Sequence, residues 1–228
     1  MSKSKQFIRL AIRRLALAAP NVKFIRAIPM LLLCPLHLRL KLGGGDIVPV
    51  EGFRMRLDPT LYEDRTYWFI PHRYDKVERR TVLKRIPRDT RGWMIDIGAN
   101  IGFLTLWLAT RFPNARILSI EPAPETYCRL KEHIDLNQVK NVVPVQVGVL
   151  DTHGALPFYY SAAYSGRSRF LQPAKALPKG ISMEMLEVEV VPLVELFSRY
   201  EIQQCDLMKL DIEGAEKRVL HHFFERIP

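Results

Sequence analysis

Cysteine is scarce in this 228-residue chain, and Cys34, Cys128 and Cys205 stand far apart. Three such residues supply neither a disulfide framework nor a zinc cluster, so a reducing compartment is expected. No uninterrupted apolar run reaches the roughly 18–20 residues that a spanning helix needs. The nearest, Ala27 to Cys34, is broken by Pro29 and followed by Pro35. A cleaved signal peptide is disfavoured, because Arg13 and Arg14 interrupt what would be its apolar region. Repeats and low-complexity tracts are absent. With 48% hydrophobic and 25% charged residues, the composition is globular and excludes wholesale disorder.

Acid is missing from the first 45 residues, which carry nine basic groups. Residues 1–91 hold 20 Lys and Arg against 8 Asp and Glu, a net of +12, whereas residues 92–228 hold 14 against 16, a net of −2. The formal +10 therefore belongs to one end of the chain. Residues 7–19 predict a helix with Phe7, Ile8, Ala11, Ile12, Leu15, Ala18 and Ala19 on one face and Arg9 and Arg13 opposite, stopped at Pro20. The first reading is that these apolar faces pack on the protein's own body; because a basic amphipathic helix also suits an anionic membrane surface, peripheral contact through residues 1–42 is the alternative. Gly43-Gly44-Gly45 reads as a flexible joint. Residues 46–91 read as a small cap. It has alternating strand residues from Ile47 to Leu57 and an aromatic cluster of Tyr62, Tyr67, Trp68 and Phe69. A helix follows, with Val77, Val82, Leu83 and Ile86 as its apolar side.

From Trp93 the pattern changes to strand, helix, strand, helix, strand: Met94–Ile97, Leu104–Ala109, Ala115–Ile120, a helix opening at Pro124, and Val142–Val149. That alternation predicts a parallel α/β sheet. Leu186, Val188 and Val190 alternate with Glu187 and Glu189 as a half-exposed strand, and Leu207–Ile212 reads as another buried strand before a final helix.

Three groups of residues carry chemistry. Asp96-Ile97-Gly98-Ala99-Asn100-Ile101-Gly102 joins a strand to a helix. Glycines there admit a ligand to the backbone, and the helix start offers free N–H donors. A nicotinamide cofactor asks for G-x-G-x-x-G, whereas the spacing here is G-x-x-x-G, which suits the amino-acid end of S-adenosylmethionine. Glu121, followed by Pro122, ends the second strand, where a carboxylate accepts from both ribose hydroxyls. Gly148 and Asp151 close the third strand, where an adenine edge would lie, although Asp151 reads equally well as a solvated loop residue. Asp211 and Glu213, two apart in Lys209-Leu210-Asp211-Ile212-Glu213-Gly214-Ala215-Glu216, would point to one side of an extended chain at the carboxyl edge of the sheet. Such a pair can orient an acceptor hydroxyl, take its proton or hold a divalent cation, or it can simply complement a helix N-terminus. Tyr164, Arg167 and Arg169 lie in a loop that could contact the acceptor.

The run Asp96–Gly102, Glu121-Pro122, Asn137 with Asn141-Val142, Val191-Pro192-Leu193 and the Lys209–Glu216 stretch together resemble the FkbM family of methyltransferases over roughly residues 90–222. The resemblance implies a class I methyltransferase (Rossmann-like) sheet, S-adenosylmethionine as methyl donor, and O-methylation, commonly of a sugar or glycan hydroxyl. By that similarity Asp96, Gly98, Asn100 and Gly102 hold the methionine end and Glu121 the ribose, with Ala99 and Pro122 as further cofactor-binding positions. The implied sheet has seven strands. Only four are readable here, so the expected organisation is a basic extension over 1–45, a cap over 46–91, and a core over 92–228 that stops after strand four. A nucleic-acid methyltransferase is disfavoured, since no Pro-Pro-Tyr follows strand four and no Pro-Cys pair supplies a thiol. A non-catalytic cofactor-binding module is the remaining alternative. The expected location is cytoplasmic, with peripheral contact at a membrane.

Overall fold

A computed structural model describes residues 3–18, 32–40, 42, 44–170 and 182–227. The stop at Pro20, the broken apolar run from Ala27 to Leu31, and Gly43 lie outside them. The chain divides into two compact units, residues 1–80 and 81–228.

In the first unit, α1 (Lys3–Ala18) and α2 (Cys34–Arg39) precede a hairpin of β1 (Asp46–Val50) and β2 (Phe53–Leu57). Val50 pairs with Phe53, so Glu51 and Gly52 form a two-residue turn. Both have positive φ, 47° and 98°, which matches the twist of a tight hairpin. Alternation puts Val48, Val50, Phe53, Met55 and Leu57 inside. Next comes α3 (Tyr62–Phe69), whose Tyr67, Trp68 and Phe69 are buried core while Tyr62 is exposed. Residues 46–80 of the expected cap share one unit with the expected extension, and residues 81–91 fall in the other. Gly44-Gly45 is not a free joint, because the Gly45 N–H donates to the Leu57 carbonyl at 2.9 Å.

The helix faces correct the expectation. On α1 the buried residues are Arg9, Ile12, Arg13 and Ala16, while Phe7, Ile8, Leu10, Leu15 and Leu17 are exposed. Arg9 donates from Nε and Nη2 to the Asp46 carboxylate at 2.6 and 2.8 Å and from Nη1 to the Leu42 carbonyl at 2.6 Å. Arg13 donates to the Pro49 carbonyl and lies over the Trp68 ring. On α4 (Lys76–Arg85) the expected apolar side is likewise not the buried one. Val77 and Leu83 are exposed, and Arg79 is buried, donating to the Tyr74 and Pro71 carbonyls and to Glu51. A charged fork that finds a carboxylate and carbonyls inside outcompetes an apolar stripe for the interior.

The second unit is built on a four-stranded sheet in the order β5-β4-β3-β9, comprising β3 (Trp93–Ile97), β4 (Arg116–Ile120), β5 (Val142–Val145) and β9 (Cys205–Leu210). Every pairing is parallel. The crossovers are α5 (Phe103–Arg111) and α6 (Pro124–Asn137), the latter opening on Pro124 as the fixed φ of proline at a first helical position favours. Asn141 clips the α5–β4 connection, with Nδ2 donating to the Phe112 and Ala115 carbonyls at 3.2 and 3.1 Å.

The expected third strand, Val142–Val149, is two strands. Pairing with β4 ends at Val145, and β6 (Gly148–Leu150) joins a separate three-stranded sheet, order β6-β8-β7, with β7 (Gly154–Tyr160) and β8 (Glu184–Pro192). Gly148 is thereby enclosed, since a Cβ there would meet Phe170 and Val190. The chain continues through α7 (Leu193–Arg199) to β9 and α8 (Glu216–Phe224), where Val219 and Phe223 are buried and Phe224 is exposed rather than in the expected stripe. The main core joins Ile95, Ile97, Leu118 and Ile120 of the sheet with Val191, Leu193 and Leu196 from β8 and α7 and Val219 and Phe223 from α8.

Candidate functional site

Parallel strands end together, so the residues just beyond β3, β4 and β9 meet at one edge of the sheet. The turn after β3 needs its glycines. Gly98 has φ 76°, and a Cβ on it would collide with the carbonyl oxygen of Asp211, the first residue past β9. Gly102 has φ 89° and faces Leu130 of α6. Asn100 also takes the left-handed region, φ 51°, and its Oδ1 accepts from the Ile101 N–H at 2.8 Å, which stabilises that conformation.

Glu121 closes the turn from the β4 side. Its Oε2 accepts from the Asn100 N–H at 2.9 Å and its Oε1 from the Ala123 N–H at 3.0 Å. Burial pushes its carboxyl up to about 7, against the pull of those two amides and of the Lys209 ammonium. Each carboxylate oxygen accepts two hydrogen bonds, so one acceptor site on each lies beyond these backbone contacts.

Asp96 is fully buried within β3. Oδ2 accepts from the Thr105 hydroxyl at 2.7 Å, and that hydroxyl is 2.7 Å from the Ser119 hydroxyl. Oδ1 has no hydrogen-bond partner among the described residues and lies 3.6 Å from Lys209 Nζ. Lys209 was present in the sequence motif without a role. Its ammonium donates to the Gly98 carbonyl at 2.8 Å and lies 3.4 Å from Asp211 Oδ2, so it ties both ends of the site together. A lysine inside the apolar run Leu207–Leu210 was the available signal, because such a charge needs partners.

The carboxylate pair is not arranged as expected. The strand ends at Leu210, and Glu213 and Gly214 have φ of 56° and 113°, so the chain turns rather than staying extended. Asp211 is exposed and Glu213 half-buried. Burial raises the Glu213 carboxyl and the neighbouring Asp211 charge adds to it, while Arg169 and Arg167 draw it down. Those arginines lie in and just after the 3-10 segment Ala162–Arg167, which Ser165 anchors by donating to Asn100 Oδ1 at 3.0 Å. Glu216 is a capping group here, accepting from the Ile212 N–H at 3.0 Å and the Gly214 N–H at 3.2 and 3.0 Å.

Asp151 is held elsewhere. Arg218 of α8 donates to both its oxygens, at 3.1 and 2.6 Å, and holds the carboxyl below its usual range. Thus the structure brings together Asp96, Gly98, Ala99, Asn100, Gly102, Glu121, Asp211 and Glu213. Asp151 is in a surface ion pair, and Gly148 lies against Phe170. Among the described residues, no group of three or more His, Cys, Asp or Glu side chains is arranged to hold a metal ion.

The residues present fit S-adenosylmethionine: a buried carboxylate with spare acceptor capacity for a diol, and the buried Asp96 oxygen without a hydrogen bond for an amino group. The pattern of the methyltransferase FkbM domain matches residues 96–226. Methyltransferase sdnD of Sordaria araneosa is 28% identical over 178 residues, 64% of this chain and 69% of that protein. Hexuronic acid methyltransferase AglP of Haloferax volcanii is 28% identical over 176 residues, 76% of this chain and 66% of that protein. The crystal structure of methyltransferase FkbM from Methylobacillus flagellatus KT is 15% identical, with a TM-score of 0.39, over 97% of this chain and 47% of that one.

Proposed function

Because the chain belongs to the FkbM methyltransferase family, we propose that it is an S-adenosylmethionine-dependent O-methyltransferase acting on a hydroxyl of a sugar or glycan. One observation carries the reading: Glu121 stands at the end of β4 beside the Gly98–Gly102 turn, with each oxygen holding one backbone N–H and keeping one acceptor site. The two ribose hydroxyls would take those sites. Asp96 Oδ1 and the backbone of Gly98 to Gly102 would receive the methionine end. When bound, this cofactor supplies an electrophilic methyl carbon on a sulfonium.

The protein's remaining task is to place an acceptor oxygen in line and take its proton. Glu213 suits the second role better than Asp211. A half-buried carboxylate with a raised pKa is the stronger base, whereas Asp211 is exposed and faces the Lys209 ammonium. The positive charge of Arg169 and Arg167, which acts on the Glu213 carboxyl, favours an acceptor that carries its own negative charge. A hexuronic acid, named for the relative AglP, has such a carboxylate and several hydroxyls.

Calorimetric titration of the full chain tests this. Wild type should bind S-adenosylmethionine and its demethylated product. Glu121→Ala should lose about 100-fold in affinity, the worth of two charge-assisted hydrogen bonds at about 1.5 kcal/mol each. Equal binding by both proteins, or binding by neither, overturns the reading.

A further inference from the structure

The inverted burial of α1 leaves a surface that the methyltransferase reading does not use. Its inner face holds Ile12 and Ala16 with Arg9, which donates to Asp46 and to the Leu42 carbonyl, and Arg13, which donates to the Pro49 carbonyl. The outer half of the helix therefore presents Phe7, Ile8, Leu10, Leu15 and Leu17, with Phe7 75% and Leu15 64% exposed. In the same unit Leu36 and Leu38 of α2, and Leu32 and Leu40 flanking it, are exposed as well. Single apolar side chains on a surface are ordinary, but contiguous large ones along one helix mark a contact site.

The charge around them identifies the partner. Lys3, Lys5 and Arg14 are exposed on α1, Arg39 is exposed on α2, and no acid occurs in the first 45 residues. Two copies of such a face would bring like charges together, which disfavours self-association. A nucleic acid would use the cations and leave five large apolar side chains without a role. An anionic bilayer uses both, since leucine and phenylalanine enter the acyl boundary while lysine and arginine stay at the headgroups. No helix among the described residues is long and apolar enough to cross a membrane, so the contact would lie in the interface plane. We propose that the outer face of α1, with the leucines around α2, docks the protein on an anionic phospholipid bilayer.

The test is sedimentation of the full chain with vesicles of phosphatidylcholine containing phosphatidylglycerol, compared with phosphatidylcholine alone. Wild type should partition onto the anionic vesicles and be released by salt. The variant Phe7→Gln/Leu10→Gln/Leu17→Gln should lose about tenfold or more of that partitioning. Lys3→Gln/Arg14→Gln should weaken it several-fold and flatten its salt dependence. Both variants leave the buried face untouched, so their thermal melts should match wild type. Failure of wild type to sediment with anionic vesicles, or full binding by the triple variant, overturns the proposal. So does a wild-type dimer that the triple variant disperses without vesicle binding.

Discussion

Glu121 accepts two backbone N–H groups and is nevertheless pushed up to about 7 by burial. Its protonated form loses an acceptor that the ribose diol requires. Affinity for S-adenosylmethionine should therefore rise with pH through about 7 and approach a plateau above it, with a proton released on binding. Calorimetry in two buffers of different ionisation enthalpy checks this, and an affinity independent of pH between about 6 and 8 would refute it. Stability of the ligand-free protein runs the other way. Between the ordinary 4.5 and about 7, the folded chain keeps a proton that the unfolded chain sheds, so this residue's contribution falls as pH rises across that window. Asp96, the glycine turn and Glu121 were legible because strand-end spacing places them in any parallel sheet. The roles of Lys209 and Ser165 were not, since their partners are 111 and 65 residues away.

Helical periodicity locates a stripe without saying which side of it faces inward, and α1 shows how that choice is made. Asp46, at the first position of β1, pulls Arg9 inside; Ile12 and Ala16 go in with it, and Phe7, Ile8, Leu10, Leu15 and Leu17 then face out. The fold alternation was legible in the strands, where period two leaves only two choices of face. The break of Val142–Val149 into two sheets was not, because an apolar run carries no mark of where its partner changes. Asp46→Ala should cost about 3–5 kcal/mol in urea unfolding, since it leaves the Arg9 guanidinium buried without its carboxylate. Arg14→Ala, on the exposed side, should stay within about 0.5 kcal/mol. Comparable losses for both would show that Arg9–Asp46 does not set the helix orientation.

Across the whole molecule, the candidate site depends on β3 and β9, which are neighbours in the sheet and distant in the chain. Lys209→Met keeps the length of the side chain but removes the ammonium between Gly98, Asp96 and Asp211. It should lower stability by about 2 kcal/mol, a figure reduced for the partial exposure of the lysine, and weaken cofactor binding in the same titration. Unchanged unfolding with lost binding would assign Lys209 to the ligand alone.

The order β5-β4-β3-β9 also has a consequence for synthesis. On the ribosome β3 emerges about a hundred residues before β9, which at ~5–20 residues per second is roughly 5–20 s. Throughout that interval one edge of β3 has no neighbour to pair with, and Asp96 lacks the Lys209 ammonium that faces it in the finished protein. The nascent chain therefore carries a recognisable half-site with an open, apolar strand edge, a natural point for chaperone attention before the last parallel strand arrives.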